Sequence, residues 1–126
     1  MIWEDYILLA ENLAEDHFEA SRRTAVSRAY YGAFNPSRRW VEANVGPIEN
    51  RAAHKYVWRT FKRPDHASED TRIKWKLVGD LGDTLRVLRN QADYADSFPG
   101  LERYAAEAVG IAERILALLP ELEFAD

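Results

Sequence analysis

The stretch Asp70–Tyr94, DTRIKWKLVGDLGDTLRVLRNQADY, decides how the chain folds. Leu77, Val78, Leu81, Leu85, Leu88 and Ala92 recur at spacings of one, three and four residues. On a helix of about 3.6 residues per turn these positions share one stripe, so the spacing predicts one long amphipathic helix. Arg86, Arg89, Asn90 and Asp93 fall on the neighbouring polar flank, and Tyr94 closes the run. An exposed helix end has no need of Arg-Asn-Gln-Ala-Asp-Tyr. The rest of the chain reads as a scaffold for that end.

Working outward, Ser68 with Glu69 and Asp70 offers this helix an N-cap and first-turn acids, after a loop over residues 63–68. Asn50–Arg63 predicts a shorter helix with Ala53, Tyr56, Val57 and Phe61 inward. Before it, Val26, Ala29, Tyr30, Ala33, Phe34, Trp40 and Val41 keep one phase across Pro36. Gly32, four residues ahead of the proline, leaves room for a bend, so one kinked helix is expected from Glu19 to Asn44. Gly46-Pro47 stops it. A first helix is expected from Trp3 to Asp16, with His17 near its carbonyl pole. Downstream, Ala95–Gly100 breaks the long helix, and Pro99 fits the first turn of the next. That last helix carries Leu101, Tyr104, Ala105, Ala108, Ala112, Ile115 and Leu119, stops at Pro120, and leaves a fraying tail over 121–126. No run alternates as a strand would. The expectation is an all-α, up-and-down bundle of four long helices with a short extra one, forming a single domain over residues 1–126.

Composition narrows the function. With 126 residues, 47% of them hydrophobic, the chain can bury one core and not two. It has no cysteine, which removes disulfide frameworks and thiolate zinc sites. His17, His54 and His66 are scattered and lack the close spacing of a catalytic metal site, so no metal and no other cofactor is expected. Ile7–Ala10 is a short apolar run among acids with no basic region before it, unlike a signal peptide. No stretch approaches the roughly 20 apolar residues of a membrane span. A cytoplasmic protein without membrane contact is expected.

The net charge of −4 is unevenly spread. Residues 51–76 hold eight basic and three acidic side chains, whereas residues 77–126 hold four basic and ten acidic ones. Arg51, Lys55, Arg59, Lys62, Arg63, Arg72, Lys74 and Lys76 are interleaved with Trp58, Phe61 and Trp75. Cations beside aromatic faces suit a phosphate backbone with unstacked bases. A solvated basic helix face, with the aromatics turned into the core, produces the same pattern. Lys55, Arg59, Lys62 and Arg63, with Arg86 from the long helix, are the candidate RNA contacts.

Two strings carry a family resemblance: RTAVSRAYYGAF at Arg23–Phe34 and RNQADY at Arg89–Tyr94. In this order on a helical bundle they resemble the HEPN domains (higher eukaryotes and prokaryotes nucleotide-binding), over almost the whole chain. The resemblance implies a metal-independent ribonuclease that dimerises and places two motifs in one cleft. It also implies a toxin whose antitoxin partner is a small nucleotidyltransferase. The family motif runs Arg, a polar residue, three variable residues, His. Arg89 and Asn90 match it, and Tyr94 stands in place of His. A tyrosine that such a partner adenylylates lies two positions beyond the His, where this chain has Asp96.

Metal-free cleavage of RNA needs a base for the 2′-hydroxyl, an acid for the leaving oxygen and a cation for the phosphorane. Arg89 suits the cation role, because a guanidinium stays charged and grips two phosphate oxygens. Asn90 suits orientation of the phosphate. A tyrosine, ordinarily ionising near 10, is a poor base unless a cation such as Arg86 or Arg89 assists it, and Asp93 is an alternative base. Residues five apart on a regular helix point about 140° from each other, so Arg89 and Tyr94 meet only if the helix end distorts or two subunits combine. A structural alternative pairs Arg89 with Asp93 and lets Tyr94 cap the apolar seam. A non-catalytic module that holds RNA or a nucleotide, and a plain structural partner of a nucleotidyltransferase, fit the same residues.

Overall fold

The computed structural model describes residues 2–48, 53–63 and 68–122. Arg51, the helix start expected at Asn50, the loop over 64–67 with His66, and residues 123–126 lie outside the described residues. Five α-helices follow in order: α1 Glu4–Ala14, α2 Glu19–Asn44, α3 Ala53–Lys62, α4 Glu69–Tyr94 and α5 Leu101–Leu118. A single 3-10 turn, Leu119–Glu121, ends the described chain. The all-α bundle is as expected, with α3 as the short extra helix. Among the described residues, no helix is long and apolar enough to cross a membrane.

Helix α2 packs on each of the other four. Its buried face, Ala25, Val26, Ala29, Tyr30, Ala33, Phe34 and Val41, is mostly small, which lets neighbours come close. Gly32 has a different task from the one expected of it. A Cβ there would lie 2.9 Å from Ile7 Cγ1 and 3.2 Å from Tyr6 Cβ, so the bare glycine is what seats α1 on α2. The helix continues through Pro36 as one element. On either side of the carbonyl that Pro36 leaves without an N–H, side chains bond the backbone. Asn35 Nδ2 donates to the Tyr31 carbonyl at 3.0 Å, and Ser37 Oγ donates to that of Ala33 at 2.8 Å.

Helix α4 begins as its cap predicts, with the Ser68 hydroxyl accepting from the Thr71 N–H. Its buried stripe is Thr71, Trp75, Val78, Gly79, Gly82, Leu85, Leu88 and Ala92. Leu77 and Leu81, expected inside, are only half-buried, because α3 lies along the two glycines instead. A Cβ on Gly79 would meet the Trp58 carbonyl at 2.9 Å, and one on Gly82 would fall within 2.1 Å of the Trp58 ring. Going back along α3 from Lys62 to Trp58 therefore means going forward along α4 from Gly79 to Gly82. The two helices are antiparallel, and His54, one turn before Trp58, stands level with Arg86.

The aromatics of the basic stretch belong to the core. Trp58 and Phe61 are wholly buried and Trp75 nearly so; Phe61, Trp75 and Trp40 pack at ring distances of 4.9 to 5.8 Å, and Trp58 lies 6.2 Å from Phe61. They cannot stack on bases. At the other end, α5 starts from Gly100 in the left-handed region, φ +76°, so Pro99 precedes the helix rather than opening it. Leu122, expected to fray, is buried behind the 3-10 turn.

Candidate functional site

Helix α3 is amphipathic in the strict sense. Ala53, Val57, Trp58 and Phe61 face inward, while Lys55, Arg59 and Lys62 follow the outer face at spacings of four and three. Across from them α4 presents Asp83 and Arg86. Between the two helices lies a surface cleft of about 240 Å³, lined by Lys55, Arg59, Lys62, Arg63, Asp83 and Arg86. All five candidate RNA contacts thus meet in one place. Asp83 is the one acid among them. It pairs with Lys62 and approaches Arg86 Nε at 3.8 Å, while Asp80 stands 3.8 Å from Lys62. Lys55, Arg59 and Arg63 make no ion pair among the described residues, so three cations stay open to an anionic ligand. Arg72, Lys74 and Lys76 do not line the cleft, and Lys74 is paired with Glu121 at 3.3 Å.

One turn beyond Arg86, Arg89 leaves only 13% of its side chain exposed. Its guanidinium lies over the rings of Tyr30, 5.3 Å away, and Tyr31, 5.7 Å away. Nη1 donates to Asp93 Oδ2 at 3.3 Å, the helical pair the sequence allowed. Nε is buried without a hydrogen-bond partner among the described residues, as is Nε of Arg86. Behind Arg89 sits a chain of rings: Trp58 Nε1 donates to Tyr30 Oη at 3.1 Å, and Tyr30 Oη lies 2.7 Å from His54 Nδ1. Phe34 stacks on His54 at 4.1 Å. Burial pushes the Tyr30 phenol up to about 12, against the pull of the Trp58 hydrogen bond and of Arg89 and Arg86. Burial first, then the charges of Arg89, Arg86 and Arg38, hold His54 below its ordinary 6.5.

The end of α4 is held from α2. The Arg23 guanidinium donates to the carbonyls of Gln91 at 3.4 Å, Ala92 at 3.0 Å, Ala95 at 2.6 Å and Asp96 at 3.3 Å. These include the last-turn carbonyl of Ala92, which has no helical partner, and a cation there also suits the helix dipole. Arg23 is 17% exposed, so its hydrogen bonds count for more than a surface pair would. Arg23→Ala is expected to cost about 2 kcal/mol of stability, read by urea unfolding. Full stability in that variant would show that the clamp is ornamental.

The four candidate catalytic residues do not converge within one chain. Arg89 and Asp93 share a face; Asn90 and Tyr94 are exposed elsewhere on the same helix, and Tyr94 is 77% exposed. Helix α4 is regular through Tyr94, with Ala95 N–H bonded to the Gln91 carbonyl, so no distortion brings Tyr94 round to Arg89. Tyr94 does not cap the seam either, which ends at Ala92.

Sequence reasoning gave no role in the site to Arg23 and Tyr31, quoted only within the resemblance string, to Tyr30, placed on the apolar phase of the second helix, to His54, considered only as a metal ligand, or to Asp83. One signal was available. His54 and Trp58 are one helical turn apart, and so are Tyr30 and Phe34, which places each pair on one face. Among the described residues, no three His, Cys, Asp or Glu side chains gather as a metal site. No protein-family model matches the chain, and comparisons with curated proteins and with solved structures return no match.

Proposed function

We propose that the chain is a HEPN-like, metal-independent endoribonuclease that grips RNA in the α3–α4 cleft and acts in the cytoplasm as the toxin partner of a small nucleotidyltransferase. The observation that carries the RNA part is the meeting of Lys55, Arg59, Lys62, Arg63 and Arg86 on one cleft, with Arg89 one turn further along α4. Lys and Arg at such spacing neutralise successive phosphates and position the strand. Arg89 faces the phosphorane, and Asp93, bonded to one end of its guanidinium, sets its orientation. The regular helix keeps Tyr94 about 140° away from Arg89, so joint action of the two calls for a homodimer in which Arg89 of one protomer meets Asn90 and Tyr94 of its partner. The toxin and nucleotidyltransferase assignments rest on the family resemblance of Arg23–Phe34 and Arg89–Tyr94.

One observation favours a second reading, a non-catalytic module that binds RNA or a nucleotide: the position where the resemblance calls for a histidine holds an exposed phenol. An RNA cleavage assay in EDTA separates the two. Cleavage is expected to persist without divalent ions and to fall about 10²-fold in Arg89→Ala. Activity that disappears with the chelator and returns with magnesium contradicts the mechanism, and binding without turnover favours the module.

A further inference from the structure

His54 has one ring nitrogen engaged and one without a partner among the described residues. Nδ1 lies 2.7 Å from Tyr30 Oη, and Trp58 Nε1 donates to the same oxygen at 3.1 Å. An indole N–H can only donate, so Trp58 occupies one acceptor position of the phenol oxygen. Tyr30 is wholly buried and, with burial pushing it up to about 12, keeps its own proton. A buried hydroxyl proton without an acceptor is costly. Among the described residues, the lone pair of His54 Nδ1 is the acceptor in reach. The hydrogen bonds therefore run from Trp58 N–H to Tyr30 O–H to His54 Nδ1. Neutral His54 then carries its proton on Nε2, which no described residue takes.

The surroundings of that N–H are cationic. His54 is level with Arg86 on the antiparallel α4, and the phenol it bonds lies under the Arg89 guanidinium. From α2 it faces Tyr30, Tyr31, Phe34 and Arg38; from α4 the charges acting on it are Arg86 and Arg89. Among the described residues, no carboxylate is among the charges that act on it. His54 does not itself line the basic cleft; its ring packs against α2, beside the cleft-lining pair Lys55, its neighbour in sequence, and Arg86, whose charge acts on it. A neutral donor beside three arginines repels a cation and has nothing to offer an apolar group. It suits an anionic oxygen.

We propose that His54 Nε2–H donates a hydrogen bond to a phosphodiester of bound RNA, which Arg86 and Arg89 hold from α4. This deepens the reading of the cleft as an RNA site and rests on it. A consequence follows from electrostatics. Burial first, and then the charges of Arg89, Arg86 and Arg38, hold His54 below its ordinary range; a bound phosphodiester offsets the arginine part, so the imidazole takes up a proton more readily in the complex than in the free protein. Binding must then tighten as the pH falls through that window.

The test is a histidine NMR titration of the full chain, free and with a short 2′-O-methyl oligouridylate, which binds as RNA does but lacks the hydroxyl needed for cleavage. In the free protein, the ring-nitrogen shifts of His54 should report the Nε2–H tautomer. With the oligonucleotide its titration midpoint should rise by about one, with affinity gaining up to about tenfold as the pH falls. His54→Gln should remove that pH dependence. An Nδ1–H tautomer overturns the inference. So does oligonucleotide binding that depends on Lys55 and Arg59 while the His54 midpoint stays put, and in that case the reading of the cleft survives. No binding at all removes both.

Discussion

Replacing Tyr94 with His is expected to raise metal-independent RNA cleavage by about 10²-fold, the range in which a well-placed acid–base group contributes. The expectation rests on the division of labour at the end of α4. The cation, Arg89, is seated on Tyr30 and Tyr31, and the helix end is clamped by Arg23. What is missing is a group that titrates near neutrality at position 94, and imidazole is such a group. The substitution is structurally clean. Tyr94 is 77% exposed and has no hydrogen bond among the described residues, so its loss should change stability by less than about 0.5 kcal/mol. Urea unfolding and cleavage rate can therefore be read independently. A variant that folds as well as the wild type and still leaves RNA intact would move the chain to the class of binding modules.

Gly82→Ala is expected to be the most damaging of the conservative changes. On an open helix the substitution stabilises by about 1 kcal/mol. Here the new methyl would fall within 2.1 to 2.5 Å of the Trp58 ring, which is wholly buried and hydrogen-bonded to Tyr30. Neither the ring nor α3 can retreat without opening the core, and overpacking of this kind costs about 3 kcal/mol. The net loss should be about 2 kcal/mol, a melting point lower by roughly 8 °C for a chain of this size. Gly110→Ala is the matched control, because a Cβ there meets nothing within 4 Å. It should hold or gain stability. Equal behaviour of the two variants would contradict the close approach of α3 to α4.

The same glycines explain what was and was not legible in the sequence. The helices were readable because each has a periodic apolar stripe and chemical punctuation, such as Ser68 before α4 and Gly46-Pro47 after α2. The partner of α4 was not readable. Gly79 and Gly82 carry no hydropathy signal, yet they mark the face on which Trp58 lies, while Leu77 and Leu81 suggested another. The five cations were nameable one by one, because charge on the outer face of a helix repeats at three and four. That they enclose one cleft depends on the antiparallel packing, which no local pattern encodes. His54 was missed for the same reason: its phenol partner is 24 residues away on another helix. Asp83 looks like an ordinary surface acid until Lys62 and Arg86 are seen to close on it.

The central claim is that the α3–α4 cleft holds an RNA backbone, and its most direct test is the salt dependence of single-stranded RNA binding in paired variants. Lys55→Ala/Arg59→Ala removes two of the cleft-lining cations that make no ion pair among the described residues; Arg72→Ala/Lys76→Ala removes two exposed cations outside it. Single-strand counterion release predicts that the first pair flattens the slope of log affinity against log salt by about 1.4. It should also weaken binding at least about tenfold at low salt, while the second pair leaves both nearly unchanged. Equal losses in the two variants, or no measurable affinity in the wild type, would contradict the claim.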